Sequence, residues 1–520
     1  MGFAQVLSRA QSGLAAPQVA VEVHLGSGLP TFSIVGLPAA AVKESRERVR
    51  AALATCGFEL PAGRITVNLA PADLPKEGGR YDLPVAIGIL LASGQIEPGF
   101  DPARTEFYGE LGLTGELKPV PGLLLAALHA RQAGHAVVVP QSNVAETLPA
   151  GAPVMALGSL NDLTEEGIGL QHCREEAAGM PARPAAAVEG GAAGVPDLAD
   201  VRGQLLAKRA LVIAAAGGHS LLFVGPPGSG KTMLAQRLPG LLPGLDPRQV
   251  LEVAAIRAVS HPAGASTDGE GMRLRAASHT PPFRAPHHTA SAHAIVGGGT
   301  AVQPGEVSLA HHGVLFLDEL PEFDRRVLES LREPLESGRV SVVRANQRAE
   351  YPAAFLLVAA MNPCPCGRHG LQKPPCRCQP EQVQRYRGRI SGPLLDRIDL
   401  RMELTPVPPA ALLERDVPAA DKLDSATARE MVQQARLRQL QRQGCLNARL
   451  GPAETTARCR PEAAGARLLA KTAAERGLSA RAQHRALRVA RSIADLEGRE
   501  EVTRADVALA LALRQDGQAP

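Results

Sequence analysis

The sequence predicts an α/β protein in three parts: an N-terminal α+β domain, a central parallel sheet and a C-terminal helical domain. Residues 1–172 mix short β-like runs such as VAVEVHL with helix-like runs such as AAVKESRERVRAALATCG. From 196 to 400, buried-strand runs (LLFVG, VLFLDE, AAFLLVAAMN) alternate with helical stretches, which is typical of a parallel sheet. Residues 401–520 place Ala, Arg and Leu at helical spacing. Residues 173–195 are rich in Ala, Gly and Pro, which indicates a linker between the first two parts.

Composition narrows the possible partners. The 520 residues include 56 Lys and Arg against 52 Asp and Glu, so the formal net charge is only +4. That charge is too small to indicate nucleic-acid binding by itself, and any such partner must be contacted by local patches. No apolar run approaches the roughly 20 residues that a bilayer span needs, and the start MGFAQVLSRAQSG lacks the features of an export signal. We therefore expect a cytoplasmic protein without a membrane partner.

The stretch LLFVGPPGSGKTMLAQRL contains a GxxxxGK[ST] motif between an apolar strand and a helical run. The glycines let backbone N–H groups close around phosphates, Lys231 reaches the β and γ phosphates, and Thr232 meets Mg²⁺. The motif therefore predicts an ATP site. Its predicted binding residues are Gly225, Pro226, Pro227, Gly228, Ser229, Gly230, Lys231 and Thr232.

Two further strand-like runs end in polar side chains. The run HHGVLFLDELPEF ends its apolar strand in Asp318 and Glu319, and AAFLLVAAMN ends in Asn362. Strand-end placement puts Asp318 beside the Mg²⁺ and Glu319 where it can orient or deprotonate the attacking water. Asn362 is a neutral donor placed to contact the γ-phosphate. We expect Thr232 and Asp318 to hold the magnesium ion.

Several long motifs carry a family resemblance. They are DLADVRGQLLAKRALVIAAAGGHSLLFVGPPGSGKT, FRAPHHTASAHAIVGGG, PGEVSLAHHGVLFLDELPEF, SGPLLDRIDL and LSARAQHRALRVARSIADL. Through them nearly the whole chain resembles the Mg-chelatase-like AAA+ ATPases and, within these, the YifB/ComM group. The resemblance implies a P-loop AAA+ domain, a C-terminal helical lid and a homo-oligomer, a six-membered ring with ATP sites between its subunits.

The same resemblance gives two arginines a catalytic role. Arg397 of LLDRID matches the arginine finger, which neutralises developing phosphoryl charge on a neighbour's ATP. The alternative is an exposed arginine at a helix end. Arg481 of LSARAQHRALRVAR matches the sensor-2 arginine, although Arg485 lies one helical turn further on and faces the same way.

A predicted hairpin suggests a DNA contact. The stretch SGRVSVVRANQRAEYPAAFLL favours a β-hairpin with Arg344 and Arg348 near its tip. In related ring helicases such hairpins face the central pore, where basic side chains follow a phosphate backbone. A solvated hairpin tip is the alternative. An insertion is also expected around TASAHAIVGGGTAVQPG. The histidine pairs His287–His288 and His311–His312 are predicted to have packing or ring-interface roles rather than to bind a metal.

The N-terminal domain resembles the S5 fold of the Lon protease domain through NLAPADLPKEG and GELGLTGELKPVPGLLLAALHARQAGHAVVVP. Lon cleaves peptides with a serine activated by a lysine, and covalent catalysis of this kind needs both groups. Here the serine position matches Arg80 and the lysine position matches Leu124. Tyr81 is a poor substitute because its hydroxyl has a pKa of about 10. The resemblance therefore implies a non-catalytic S5 domain.

The segment NPCPCGRHGLQKPPCRCQP, a Pro- and Gly-rich loop, contains two CxC pairs. Four soft thiolate ligands that converge tetrahedrally would make a closed structural zinc site. Free thiols in a mobile loop and a redox pair are the alternatives. The four candidate ligands in the loop 364–378 are Cys364, Cys366, Cys376 and Cys378.

Three functional hypotheses follow. The first is a ring ATPase that moves along DNA and drives branch migration in homologous recombination or natural transformation, as the family resemblance implies. The second is a metal-insertion ATPase that acts on a tetrapyrrole, similar to the magnesium-chelatase I subunit. The third is an ATP-dependent protease or protein remodeller, of which the missing serine and lysine leave only the remodeller.

Overall fold

The computed structural model describes residues 2–37, 39–74, 76, 78–97, 99–165, 196–260, 279–299, 302–344, 347–371, 374–406 and 423–514. The predicted linker 173–195 lies outside these ranges. None of the helices in the described part of the chain combines the length and the apolar character that crossing a membrane requires.

The strands are short and begin at the second residue. They are β1 (Gly2–Arg9), β2 (Gln18–Gly26), β3 (Thr31–Val35), β4 (Arg64–Ala70), β5 (Thr105–Phe107), β6 (Glu110–Leu111), β7 (Leu117–Lys118), β8 (Ala136–Pro140), β9 (Val154–Leu157), β10 (Leu221–Val224), β11 (Phe283–Arg284), β12 (Gly297–Gly298), β13 (Gln303–Pro304), β14 (Val314–Leu317), β15 (Arg339–Arg344), β16 (Gln347–Pro352), β17 (Leu356–Met361) and β18 (Leu400–Glu403).

The α-helices become more frequent towards the C-terminus. They are α1 (Ala40–Thr55), α2 (Asp82–Ser93), α3 (Leu123–Ala133), α4 (Val144–Thr147), α5 (Asp162–Glu165), α6 (Leu205–Gly217), α7 (Lys231–Leu241), α8 (Pro247–Ser260), α9 (Ala292–Val296), α10 (Glu306–Leu309), α11 (Arg325–Ser330), α12 (Arg332–Ser337), α13 (Pro380–Arg387), α14 (Gly392–Leu395), α15 (Ser425–Gln443), α16 (Pro452–Arg458), α17 (Ala463–Arg476), α18 (Ala480–Leu496) and α19 (Arg504–Ala512).

The chain divides into two compact units, and the first takes its described residues from Met1–Val188 and Pro247–Ser278. Its seven-stranded sheet has the order β3-β4-β2-β1-β5-β8-β9. The sheet is mixed: β1 pairs with β2 antiparallel and with β5 parallel. In β2, Val19, Val21 and Val23 are fully buried and alternate with more exposed residues, as a strand with one face on a core requires.

One helix of the first unit comes from far along the chain. Helix α8 follows the P-loop helix in sequence, inside the predicted central domain, yet it belongs to the first unit. Ala254 on α8 is buried in the cluster that contains Leu123, Leu124 and Ala127 of α3. The predicted domain boundaries follow the order of the sequence and therefore assign α8 to the central domain.

The second unit, with described residues from Glu189–Asp246 and His279–Pro520, contains a parallel sheet of order β11-β14-β17-β10-β18. Strands β14 and β17 are buried along their whole length, which is why they read as continuous apolar runs. The α/β class with a central parallel sheet is thus confirmed. Its last strand, β18, extends three residues beyond the predicted boundary at 400.

The C-terminal helices pack directly against this sheet. Val432 of α15, Val489 of α18 and Val507 of α19 are buried in one cluster with Phe223 of β10 and Val358 of β17. Helix α18 begins at Ser479, whose hydroxyl accepts a hydrogen bond from the N–H of Ala482. Sheet and helices therefore share a single hydrophobic core.

Candidate nucleotide site

The loop 225–230 connects β10 to α7 at the carboxyl edge of the parallel sheet. Gly228 and Gly230 adopt φ values of 77° and 91°, a region that L-residues disfavour. A Cβ atom on Gly225 would lie 2.8 Å from the carbonyl oxygen of Leu404. The glycine pattern therefore produces a close-fitting turn whose backbone opens onto the N-terminus of α7, a favourable place for phosphate.

Lys231 occupies this turn. Its Nζ donates hydrogen bonds to the carbonyl oxygens of Gly225 and Pro226 at 2.7 and 3.0 Å, and to Oδ1 of Asn362 at 3.1 Å. Burial lowers the pKa of Lys231, while the charges of Asp318 and Glu319 act in the opposite direction. The ammonium group is thus held by three neutral oxygens, which phosphate oxygens can replace at a gain in charge pairing.

Thr232 and Asp318, the residues predicted to hold magnesium, are in direct contact. Oγ1 of Thr232 donates to Oδ2 of Asp318 at 2.8 Å, and Oδ1 of Asp318 accepts from the N–H of Glu319 at 2.9 Å. Hydroxyl and carboxylate oxygens are the donors that Mg²⁺ prefers. A further polar atom in the loop, Oγ of Ser229, is buried without a hydrogen-bond partner among the described residues. The donor set fits a magnesium–phosphate group.

Glu319 has an unusual backbone and one unexpected neighbour. It follows β14 with φ of 51°, in the left-handed region. Its Oε2 lies 3.3 Å from Nδ1 of His288, and the rings of His287 and His288 lie 4.1 Å apart. The contact of His288 with Glu319 has no signal in the sequence, because only the pairing of β11 with β14 brings these segments together.

The four loop cysteines converge. The Sγ atoms of Cys364, Cys366 and Cys376 lie 3.4 to 3.6 Å apart, and all four sulfurs, with that of Cys378, lie within 4.8 Å of one another. Backbone N–H groups point at two of them: those of His369 and Cys378 lie 3.3 and 3.4 Å from the sulfurs of Cys364 and Cys376. Such N–H groups stabilise thiolates.

This cysteine loop touches the nucleotide loop. Gly367 has φ of 75°, and a Cβ atom there would lie 2.5 Å from Cδ of Pro227. Backbone N–H groups of Arg377 and Arg368 lower the pKa of Cys366 to about 6. The contact of Pro227 with Gly367 was not predicted, because the two residues are far apart in sequence. The signal for it is that the cysteine loop directly follows β17, whose carboxyl end lies at the same sheet edge as the nucleotide loop.

Arg397, the predicted arginine finger, contacts its own helical segment and a neighbouring one. Its Nη2 forms an ion pair of 2.6 Å with Glu336, and its Nη1 donates to the carbonyl oxygen of Pro393 at 2.7 Å. The pair lines a cavity of about 380 Å³ together with Glu329, Arg332, Glu333 and Ser337.

The two candidate sensor-2 arginines differ in their contacts. Arg485 forms an ion pair of 3.2 Å with Asp399, whose other oxygen contacts His219 at 3.0 Å. Arg481 lies in the first turn of α18 and is exposed. Arg485 is thus committed within the core of the unit, whereas Arg481 faces solvent.

The predicted hairpin is present. Strands β15 and β16 pair antiparallel from Arg339 opposite Pro352 to Arg344 opposite Gln347. Arg348 lies opposite Val343, so both predicted DNA-contacting residues sit next to the turn. Their side chains lie outside the described part of the structure.

The residues that match the Lon serine and lysine are buried in the first unit. Nη2 of Arg80 donates to Oε1 of Gln11 at 3.1 Å and to the carbonyl oxygen of Pro121 at 2.9 Å. Leu124 and Tyr81 are buried beside it in the unit's apolar clusters. A guanidinium group therefore fills this position.

Three family models match consecutive parts of the chain. They are the subunit ChlI of Mg-chelatase over residues 21–143, the magnesium chelatase subunit ChlI over 197–412, and the ChlI C-terminal region over 422–514.

Curated relatives match over almost the full length. An uncharacterized protein YifB from Escherichia coli is 46% identical over 99% of this chain and 97% of its own. A YifB protein from Salmonella typhimurium is 45% identical with the same coverage, and the competence protein ComM of Haemophilus influenzae is 45% identical over 99% of this chain and 98% of its own.

Proposed function

The chain belongs to the Mg-chelatase-like AAA+ family, in the group of the YifB and ComM proteins, and we propose that it is an ATP-hydrolysing DNA motor. The observation that carries the ATPase part is the cluster of Lys231, Asn362, Thr232 and Asp318 at one sheet edge, with Glu319 adjacent.

Each of these residues has a distinct task. Lys231 exchanges its carbonyl partners for phosphate oxygens, and the backbone N–H groups of the glycine loop bind the same phosphates. Thr232 and Asp318 would hold Mg²⁺, which would supply positive charge beside the phosphates. Glu319 orients the attacking water and accepts its proton, and Asn362 contacts the γ-phosphate once Lys231 has moved.

The site is completed by a second copy in a ring, for which six subunits are expected. Arg397 supplies the charge that stabilises phosphoryl transfer on the neighbour's ATP. Its guanidinium is paired with Glu336 within the same subunit, so this ion pair must open before Arg397 can reach the neighbour's ATP. The exposed Arg481 on α18 serves as the sensor-2 arginine of the helical lid, since Arg485 is already paired with Asp399.

The DNA part of the proposal depends on the hairpin and on one relative's name. Arg344 and Arg348 flank the turn of a two-stranded hairpin that precedes β17, and Val343 beside them is exposed. A hairpin tip carrying two arginines can grip a phosphate backbone without reading bases. One relative is named a competence protein, which favours a role connected with natural transformation, and we propose branch migration as that role.

The cysteine loop holds a structural zinc ion. A zinc–sulfur distance of about 2.3 Å implies sulfur–sulfur edges of about 3.8 Å in a tetrahedron, close to the spacing of Cys364, Cys366 and Cys376. Four thiolates leave no open position, so the ion would brace the loop and take no part in catalysis.

The first unit is a non-catalytic S5 domain that contributes to assembly or DNA contact. Arg80 and Leu124 stand at the positions that match the Lon nucleophile and base, and neither side chain can form the acyl intermediate or take its proton. Peptide cleavage is therefore not expected of this unit.

A second candidate function is metal insertion into a tetrapyrrole, favoured by the three magnesium-chelatase family models. It shares the ATP site and differs in the partner that accelerates turnover. Remodelling of a protein partner differs in the same way.

Steady-state ATP hydrolysis separates these functions when single-stranded DNA, forked DNA, casein or a porphyrin is the only addition. We expect either DNA to raise turnover several-fold, and casein to be neither stimulatory nor cleaved. Stimulation by porphyrin or casein without stimulation by DNA would overturn the DNA-motor proposal in favour of the corresponding alternative. Glu319→Gln, as the negative control, should abolish turnover under every condition.

A further inference from the structure

The cysteine loop lies in a segment that carries basic residues without acidic ones. Residues 361–380 include Arg368, His369, Lys373 and Arg377 but no Asp or Glu, whereas the whole chain has 56 Lys and Arg against 52 Asp and Glu. A chain of nearly balanced charge can contact nucleic acid only through local basic patches. The cysteine loop has the composition of such a patch.

The structure brings Arg368 and Arg377 together, although the first follows one CxC pair and the second lies within the other. The backbone N–H groups of both arginines stabilise the thiolate of Cys366, so both amide nitrogens lie around one sulfur atom. The turn after Arg368 is closed by a hydrogen bond of 3.0 Å from the N–H of Leu371 to its carbonyl oxygen. The two side chains therefore start from neighbouring points on a fixed backbone.

Both arginine side chains are exposed. Within the part of the chain that the structure describes, the guanidinium groups of Arg368 and Arg377 form neither a hydrogen bond nor an ion pair. Arg389, a short distance further along the chain, differs because it is paired with Glu322 at 2.7 Å. Two adjacent guanidinium groups that no carboxylate neutralises are suited to bind phosphate oxygens.

We propose that Arg368 and Arg377 bind the phosphate backbone of DNA, as a contact additional to that of the hairpin. This inference rests on the proposed DNA-motor function. Residues 361–380 contain no Phe, Tyr or Trp, so the loop offers no aromatic ring on which a base could stack. A contact made through phosphates alone does not depend on sequence, as a motor that moves along DNA requires.

The test measures the affinity of full-length variants for a labelled single-stranded oligonucleotide of mixed sequence across a salt series. Arg368→Ala combined with Arg377→Ala should weaken binding about tenfold and reduce the slope of log K against log salt by about 1.4, from two fewer phosphate contacts at about 0.7 each. Replacing the same two residues with lysine keeps both charges and should keep the wild-type slope. Arg467→Ala combined with Arg476→Ala removes two exposed arginines of α17, which matches the change in net charge, and should also keep the slope.

The thermal midpoint and the Kd for ATP should match wild type in every variant, which shows that the fold and the nucleotide site are intact. An unchanged slope in the double alanine variant, or an equal reduction in the lysine variant or in the α17 control, would overturn the inference. A raised Kd for ATP with unchanged DNA affinity would also overturn it, because the arginines would then serve the phosphates of the nucleotide. If the wild-type protein does not bind the oligonucleotide, the DNA-motor proposal itself fails.

Discussion

Each unit of the molecule contains a buried lysine whose pKa is lowered mainly by loss of solvent. Lys76 in the first unit is fully buried and donates to the carbonyl oxygen of Pro71, with Asp73 opposing the pKa shift. Lys231 in the second unit is nearly as buried and donates to the carbonyl oxygens of Gly225 and Pro226.

The difference between the two lysines lies in their surroundings. Lys231 stands at the N-terminus of an eleven-residue helix, next to a loop with two left-handed glycines and opposite Asp318 and Asn362. Among the described residues, Lys76 donates to the Pro71 carbonyl oxygen and senses the charge of Asp73. Burial and a lowered pKa therefore do not define a site, whereas replaceable partners beside converging strand ends do.

The largest expected effect tests this contrast directly. Lys231→Met should lower ATP turnover at least a thousandfold, since it removes the cation that contacts the β and γ phosphates. Lys76→Met should leave turnover within twofold, and equilibrium unfolding should show unchanged or higher stability, because a buried charge hydrogen-bonded to a neutral carbonyl oxygen is replaced by an apolar side chain of similar volume. Comparable losses in both variants would remove the distinction.

A subunit-mixing experiment asks whether the Lys231 site is completed from outside its own chain. Arg397→Ala should lower turnover about a thousandfold while each subunit still binds ATP. Mixing Arg397→Ala with Lys231→Ala subunits should restore measurable turnover, because some interfaces then combine an intact loop with an intact arginine. If no mixing ratio restores activity, Arg397 does not act across an interface.

The four converging cysteines all belong to the second unit, and they predict a metal content for the protein. Elemental analysis of the purified protein should find about one Zn²⁺ per chain. Cys364→Ser should lose the metal and lower the thermal midpoint by several degrees, while Cys445→Ser, outside the loop, should keep both. Full zinc content in Cys364→Ser would place the metal elsewhere.

The hairpin gives a smaller effect. Replacing Arg344 and Arg348 with alanine should weaken single-stranded DNA binding at every sequence and reduce the slope of log K against log salt by about 1.4, from two fewer phosphate contacts at about 0.7 each. Arg339→Ala, at the far end of the same hairpin and paired with Glu350, is the control. Basal ATP turnover should persist in both, and branch migration of a four-way junction should be lost only in the double variant. An unchanged salt slope with intact migration would exclude the hairpin from DNA contact.

The smallest effect concerns pH. Because the folded protein lowers the pKa of Lys76, the unfolded chain binds more protons as pH approaches the ordinary lysine value of 10.5, and stability rises with pH in that window. Lys76→Met should lack this rise. Urea unfolding of both proteins at pH 8 and pH 10 gives the difference, and parallel behaviour would show that Lys76 is not perturbed.

Local sequence patterns predicted the parallel sheet and the groups at its carboxyl edge. The strands within VLFLDE and AAFLLVAAMN are buried on both faces, so a continuous apolar run is enough to identify each as a strand of a parallel sheet. The polar residue that follows each run must then lie at the carboxyl edge of the sheet. The contacts of Lys231 with Asn362 and of Thr232 with Asp318 follow from that rule.

Features that depend on pairing between distant segments were not predictable. Helix α8 belongs to the first unit although the segments before it in sequence belong to the second, because its apolar residues pack on α3. The spacing of apolar residues predicts which face of a helix is buried but not which element covers that face. The contact of His288 with Glu319 requires the order of β11 and β14 in the sheet. The ion pair of Arg397 with Glu336 likewise joins two helical segments that no motif connects.

Because Gly367 contacts Pro227, we expect metal binding at the cysteine loop to be coupled to ATP binding at the nucleotide loop. Any side chain at 367 would displace one loop or the other, since a Cβ atom there would lie 2.5 Å from Pro227. Coupling between two binding sites is reciprocal. If metal bound at the cysteines changes the affinity for ATP by some factor, bound ATP changes the affinity for the metal by the same factor. The rate at which a chelator removes the proposed zinc ion, measured with and without nucleotide, therefore reports on ATP binding without any ATP being hydrolysed.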